Sequence, residues 1–243
     1  GKPLNFDDYL LYAGTSWFFV DPRMNKTLDY LFIDEAGQVT LGTTIANATA
    51  AKNLVLIGDQ MQLSQPMRAK HEGYAKLSSL DFVLENNDTI PPDTGIFLNI
   101  TRRLNKKICN YISTSFYDSR LTSDPVTETR SVNLKLDPIK DEGLFYVPIE
   151  HSGCSQRSDE EADLIEKTYN RIIKKEFKVG KKLGKISSKD IMVVAPYNAQ
   201  ANNIRERLKK KNDDVRVGTI DLFQGQEAKV VLISMTTSDV ESL

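Results

Sequence analysis

Two carboxylates side by side, Asp34 and Glu35, and a third at Asp59 each follow a short apolar run, Tyr30 to Ile33 and Leu54 to Ile57. Where such runs lie in a parallel sheet, acids that follow them emerge at the carboxyl ends of the strands, which is where open α/β sheets bind ligands. One carboxylate there can hold a hydrated magnesium ion while its neighbour orients a water for attack on a γ-phosphate. An Asp-Glu pair alone would say only that a solvated helix begins. The second acid-ended run, followed by Gln60-Met61-Gln62-Leu63, makes the pair a candidate for phosphate chemistry.

Strands must hold these acids in place. Four apolar residues in unbroken sequence, rather than in alternation, suit a strand buried on both faces. Between the two runs, Leu41, Ile45, Ala48 and Ala51 recur three or four apart and predict a helix over residues 37 to 52. Strand, helix and strand make a right-handed βαβ unit. Past Pro66, a polar helical segment carries Leu77, Leu80, Phe82 and Leu84. The strongest break follows, Asn86-Asn87-Asp88 and Pro91-Pro92-Asp93-Thr94-Gly95, and sets the expected domain boundary: residues 1–95 before it, 96–243 after it.

The second part alternates strand and helix. Ile96 to Ile100 reads as a strand, and Ile108, Ile112 and Phe116 predict a helix after Thr101-Arg102-Arg103-Leu104. Residues 122 to 142 read as a connecting loop or weak edge strand, and Leu144 to Ile149 as a strand. Ser158 with Glu161 three later predicts a capping box opening a helix through Ala162, Ile165, Tyr169 and Ile172. Asp190 to Tyr197 is a strand stopped by Pro196, followed by a helix with Ala201, Ile204 and Leu208. Val215 to Leu222 and Val230 to Met235 are the last strands. The expected fold class is α/β with two parallel-sheet units.

The 243 residues carry a net charge of −1, with 40% hydrophobic and 27% charged residues, enough apolar material for a core in each unit. Two cysteines, Cys109 and Cys154, are too few for a disulfide framework and point to reduced, cytoplasmic thiols. No signal peptide or membrane-length apolar run stands in the sequence. Lysine-rich stretches at Lys174 to Lys189 and Arg205 to Lys211 read as solvated helix faces, with a nucleic-acid footprint as the alternative. His151 and Cys154 have no second pair of ligands that would make a zinc site.

Five segments together resemble the motifs of superfamily 1 helicases in the up-frameshift and senataxin branch. Ile33-Asp34-Glu35-Ala36-Gly37-Gln38 resembles their magnesium and water motif. Gly58-Asp59-Gln60-Met61-Gln62-Leu63-Ser64-Gln65-Pro66 is similar to the next, commonly Gly-Asp-x-x-Gln-Leu-x-Pro. Thr101-Arg102-Arg103-Leu104-Asn105 resembles the arginine-finger motif, often Gln-Tyr-Arg-Met-His. Val193-Val194-Ala195-Pro196-Tyr197-Asn198-Ala199-Gln200 and Gly218-Thr219-Ile220-Asp221-Leu222-Phe223-Gln224-Gly225-Gln226-Glu227 are similar to the two that follow. Ala13-Gly14-Thr15-Ser16-Trp17 and Thr101-Arg102-Arg103 look most like bacterial proteins that fuse a RecB-like nuclease to such a helicase.

The resemblance implies two RecA-like domains of the P-loop NTPase fold, the first incomplete, that use ATP and magnesium to move on single-stranded nucleic acid, DNA rather than RNA, in the 5′-to-3′ direction. It implies that Asp34 holds magnesium through its waters, Glu35 polarises the attacking water, Gln62 senses the γ-phosphate and Arg103 is the finger. Gly58, Asp59, Gln226 and Glu227 would meet the nucleotide, Glu227 at its sugar. Thr15, Pro196, Tyr197, Thr219 and Gln224 would hold the strand's backbone. The departures matter too. No Gly-x-x-x-x-Gly-Lys-Ser/Thr occurs in the 243 residues, and the family's last arginine motif is absent. The sequence therefore reads as a piece of a longer enzyme, expected by itself to bind ATP poorly and hydrolyse none. The rival from another class is a non-hydrolysing nucleic-acid-binding or interaction module of the same fold.

Overall fold

The computed structural model describes residues 9–63, 72–85, 87–134, 139, 142–210 and 214–238. Gly1-Lys2-Pro3, Ser64-Gln65-Pro66, Asn86 and Lys211 lie outside the described residues. Packing divides the chain into two units, Gly1–Phe97 and Leu98–Leu243. Among the described residues, no helix is long and apolar enough to cross a membrane.

In the first unit the order is α1 (Ser16–Phe19), β1 (Leu28–Ile33), α2 (Leu41–Ala48), β2 (Ala51–Leu56) and α3 (Ser79–Leu84). β1 and β2 pair in parallel, from Leu28 against Ala51 to Ile33 against Leu56. The helix expected over 37–52 is shorter: a 3-10 turn at Ala36–Gln38 comes first, and α2 starts where the Thr40 hydroxyl accepts from the Thr43 N–H. Ala51 belongs to β2, not to the helix. α3 is closed by a capping box between Ser78 and Asp81. Phe19, Met24, Leu31, Ile33, Ala36, Ala50, Leu80 and Leu84 form the core.

β1 is not buried on both faces as its unbroken apolar run suggests. Leu31 and Ile33 point into the core, but Tyr30 is 60% and Phe32 62% exposed. The physical reason is that, among the described residues, the sheet has two strands and packs its helices on one face of β1.

The second unit runs β3 (Ile100–Thr101), α4 (Lys106–Phe116), β4 (Thr122–Ser123), β5 (Arg130–Asn133), α5 (Asp159–Ile172), β6 (Glu176–Val179), β7 (Lys182–Lys185), β8 (Ile191–Val194), α6 (Asn198–Lys209), β9 (Arg216–Gly218), α7 (Ile220–Phe223) and β10 (Val230–Ile233). β10, β8 and β9 make a parallel sheet in that order, and β3 pairs in parallel with β4. Central β8 is covered on both faces: Ile191, Met192 and Val193 are all buried. Against it pack Ala162, Ile165, Tyr169 and Ile172 of α5 and Ala201, Ile204 and Leu208 of α6, the helical stripes expected from their spacing.

Several expectations for this unit need correction. The lysine-rich stretch from Lys174 to Lys189 is not a helix face, whereas Arg205 to Lys209 does lie on helix α6. β6 and β7 form an antiparallel hairpin that joins β5 in a three-stranded sheet, so the unit is mixed rather than wholly parallel. Gly180 at the hairpin turn has φ +59°, which a glycine adopts without steric cost. Of Ile96–Ile100 only Ile100 is strand, and Leu144–Ile149 forms no ladder: its residues alternate in exposure but meet no partner strand among the described residues. The strand expected over 215–222 ends at Gly218, where α7 begins two residues on. Ser158 accepts from the Glu161 N–H, yet the reciprocal half of the capping box is missing because the Gln200 amide oxygen takes the Ser158 N–H instead.

Candidate functional site

In the first unit, parallel pairing with Ile33 opposite Leu56 puts the ends of β1 and β2 at one level, so the acids that follow them emerge together. The ladder continues beyond the strands: Ile57 N–H donates to Ile33 C=O at 2.9 Å, and Ala36 N–H to Ile57 C=O at 2.8 Å. Glycine is required for this approach. A Cβ on Gly37 would lie 2.6 Å from the Asp59 carbonyl oxygen, and one on Gly58 2.8 Å from the Ala36 nitrogen. The two motifs are thus backbone to backbone.

Asp34 and Glu35 are exposed, and Glu35 sits at φ +53°, ψ +42°, a left-handed conformation that a side chain makes costly. An Asp34 carboxylate oxygen accepts the Glu35 N–H at 2.9 Å and holds this turn; the Gln38 amide donates to Glu35 at 3.3 Å. Asp59 accepts from the Met61 N–H at 3.0 Å and from the Gln62 side-chain amide at 3.2 Å, which brings Gln62 into the same cluster. Thr15 is exposed at the start of α1, and its hydroxyl caps no N–H there.

In the second unit the Arg103 guanidinium donates to the Glu227 carboxylate at 3.1 Å, across 124 residues of sequence. Arg102, its neighbour, pairs with Asp124 at 3.2 Å. The two arginines do not stand on a helix start. They lie in a bend before α4, where the Thr101 hydroxyl accepts both the Arg103 and Leu104 N–H groups, and α4 begins only after Asn105 caps it. Arg216 holds the other side of this region, donating to the Gln226 side-chain oxygen at 2.8 Å and to the Glu227 carbonyl at 3.3 Å. Gln226 in turn donates to Leu222 C=O, so it fastens α7 to the segment that carries Glu227.

Pro196 and Tyr197 follow β8, and Thr219 follows β9; with Val194 opposite Gly218, these three come off adjacent carboxyl ends. Pro196 is exposed, Tyr197 and Thr219 half-buried. Gln224, just past α7, has a shielded side-chain nitrogen without a hydrogen-bond partner among the described residues. A buried donor of this kind is costly to leave unsatisfied and is suited to a ligand's oxygen.

One buried network was not foreseen. Glu161, expected to reach back to its own helix start, instead takes the His151 ring nitrogen Nε2 at 3.0 Å, the Thr236 N–H at 2.9 Å and the Ser234 hydroxyl. His151 Nδ1 meets the Ser238 hydroxyl at 2.7 Å, and Gln200 links Ser234 to the Ser158 carbonyl. The carboxylate fixes Thr236, a buried β-branched residue at φ +72°. No local pattern betrays this, because the partners come from four separate stretches of sequence.

Hard oxygen donors such as Asp34 and Glu35 fit magnesium, which keeps several waters and needs only one or two carboxylates from protein. Among the described residues no group of three or more His, Cys, Asp or Glu is placed to cage a metal, and the exposed Asp34–Glu35 pair suits the hydrated mode.

Comparison with known proteins adds to this geometry. A family model described as an AAA domain matches residues 77–242. The chain is 28% identical over 225 residues to the DNA polymerase alpha-associated DNA helicase A of Schizosaccharomyces pombe, an alignment covering 88% of this chain and 33% of that protein. It is 27% identical over 218 residues to an uncharacterized ATP-dependent helicase of Methanocaldococcus jannaschii, covering 85% and 31%. With the DNA-binding protein SMUBP-2 of Mus musculus it shares 26% over 226 residues, covering 87% and 22%. The chain therefore spans a third or less of the length of these relatives.

Proposed function

This chain belongs to the AAA domain family, and from that premise we propose that it is part of an ATP-dependent superfamily 1 helicase acting on nucleic acid, DNA in the first instance. The observation that carries the reading is the backbone contact between the Asp34–Glu35 turn and the Gly58–Asp59 turn at the ends of two parallel strands, with Gln62 tied to Asp59. Names of the relatives support it, since two are called helicases and one a DNA-binding protein. The finer elements of the proposal are two RecA-like domains, the first part of a larger one, and 5′-to-3′ movement in the cytoplasm. The exposed Tyr30 and Phe32 of β1 support a larger first domain, because parallel sheets are ordinarily covered on both faces. Kinship with nuclease–helicase fusion proteins rests on Thr15 and its neighbours and on Thr101-Arg102-Arg103 alone.

In this mechanism Asp34 would hold magnesium through water, and the ion would neutralise charge on the phosphates. Glu35 orients a water and takes its proton as the water oxygen attacks the γ-phosphorus and the bond to the β–γ bridging oxygen breaks. Gln62, held by Asp59, reports on the γ-phosphate. Arg103 would bring a permanently charged planar fork to the transferring phosphoryl group, and Glu227, which accepts from Arg103 at 3.1 Å, would meet the same nucleotide at its sugar. Pro196, Tyr197 and Thr219, which follow the strand ends of the second sheet, and Gln224, just past α7, would be backbone contacts for a single strand, which needs no base reading.

Substituting Glu35→Gln in the full-length protein tests the reading. Steady-state ATP hydrolysis with single-stranded DNA is expected to fall by roughly 10²-fold or more while nucleotide binding is retained, the range of a lost general base. Turnover within a few-fold of wild type would remove Glu35 from catalysis.

A further inference from the structure

Between residues 174 and 189 stand seven lysines against a single acid, Glu176, in a chain whose net charge is −1. This stretch is the hairpin of β6 and β7 with its flanks, and Lys174, Lys178, Lys181, Lys182, Lys185 and Lys189 are all exposed. Several exposed cations elsewhere take nearby acids: Lys52 with Asp29, Arg102 with Asp124, Arg103 with Glu227. None of the hairpin lysines forms an ion pair among the described residues. Like charges gathered this closely repel one another, a cost that a polyanion removes.

The hairpin is a fixed scaffold. Its register sets Phe177 opposite Gly184, where a Cβ would lie 2.6 Å from the Phe177 ring, so the ring lies flat across the glycine and toward the core. The Lys229 ammonium caps that ring at 4.2 Å and also pairs with Asp190. Lys178 and Lys185 therefore share the face away from Phe177, with Lys181 and Lys182 at the turn. Ser187 to Asp190 then leads directly into the amino end of β8. The hairpin thus belongs to the amino edge of the parallel sheet, whereas Pro196, Tyr197 and Thr219 leave its carboxyl edge.

We propose that this hairpin binds the phosphate backbone of duplex nucleic acid, as a second contact separate from the single-strand contacts at the carboxyl edge. Lysine offers compact point charges rather than the forked geometry that reads base edges. Single-strand binding also calls for aromatic faces on which bases stack, and the one aromatic of the hairpin, Phe177, is turned inward and covered. Beside Leu183 and Glu176, the face away from Phe177 exposes Lys178 and Lys185, with Lys181 and Lys182 at the turn, and these charges suit the closely spaced phosphates of a duplex. The proposal extends the nucleic-acid reading given above, and its test separates the two.

The test compares the wild-type chain with a quadruple variant, Lys178→Ala, Lys181→Ala, Lys182→Ala and Lys185→Ala, and with the matching four Lys→Arg substitutions. Anisotropy of a labelled duplex and of the corresponding single strand is followed across a salt series. The alanine variant is expected to lose duplex affinity, with the slope of log affinity against log salt reduced by about 3 to 4, close to one per lysine removed. The arginine variant should retain both, and single-strand affinity should change little. Unchanged duplex affinity and slope in the alanine variant, an equal loss on single strands, or no duplex binding by the wild type would each overturn the proposal. Tyr197→Ala examines the carboxyl edge independently: single-strand binding that survives it counts against that contact and leaves the hairpin result standing.

Discussion

Glu35 holds a conformation that its side chain does not favour. A left-handed residue other than glycine costs on the order of 1 kcal/mol or more, and it persists only where neighbours fix it. Here Asp34 accepts the Glu35 N–H, and the next N–H, that of Ala36, is pinned to Ile57 across the sheet. The place of the acid pair at a strand end was legible because a second apolar run, ending at Gly58-Asp59, follows it. Glu161 was not. Ser158 followed three residues later by Glu161 has the same local pattern whether the carboxylate turns back to its helix or away from it, and only the fold supplies His151, Ser234 and Thr236 as partners. Replacing Glu161 with alanine leaves those buried groups without their acceptor, at about 1–3 kcal/mol for each group stranded. Urea unfolding of the isolated chain should therefore show a loss of about 3 kcal/mol or more for Glu161→Ala. A loss below about 1 kcal/mol would mean that water replaces the carboxylate.

β1 and β8 look alike in sequence, each an unbroken apolar run ending near a motif, yet β8 is buried from Ile191 to Val193 and β1 shows Tyr30 and Phe32 to solvent. The difference is the number of neighbours: among the described residues β8 lies between β10 and β9, and β1 pairs only with β2. Apolar periodicity reports what a strand can bury, not what is there to cover it. The helices α4, α5 and α6 were legible for the converse reason, since a stripe at 3.6-residue spacing has one use. The β6–β7 hairpin was hidden because lysines interrupt its alternation and its anchor, Phe177, is a single residue. Asp190, at the foot of β8, gives this element a pH dependence. Burial pushes its carboxyl up, but the Lys229 ammonium and the N–H and hydroxyl of Ser187 together outweigh that and leave it below the ordinary value of 3.8. A carboxylate favoured by the fold stabilises it fully above the ordinary value, and the contribution is lost as pH falls through the lowered one. The stability difference between wild type and Asp190→Asn should thus be largest near neutral pH and shrink towards about pH 3. A difference that stays constant over that range would show that Asp190 acts through shape rather than charge.

At the scale of the molecule, composition concealed as much as it showed. A net charge of −1 says nothing of a hairpin that with its flanks carries seven lysines, because acids elsewhere cancel it. The order of the five motif segments was legible throughout, and the structure groups them by unit: Asp34, Glu35, Asp59 and Gln62 in the first, Arg103, Tyr197, Thr219 and Glu227 in the second. The central proposal is that the Arg103 guanidinium acts on the transferring phosphoryl group as an arginine finger. Its most direct measurement is DNA-stimulated ATP hydrolysis by the full-length protein carrying Arg103→Ala or Arg102→Ala. These two arginines are neighbours in one bend with different acid partners, Glu227 and Asp124, so each controls for the other. Loss of on the order of 10³-fold or more for Arg103→Ala, the range of an arginine finger, with Arg102→Ala within a few-fold of wild type, is the expected result. Equal effects of the two substitutions, or a loss confined to Arg102→Ala, would contradict it.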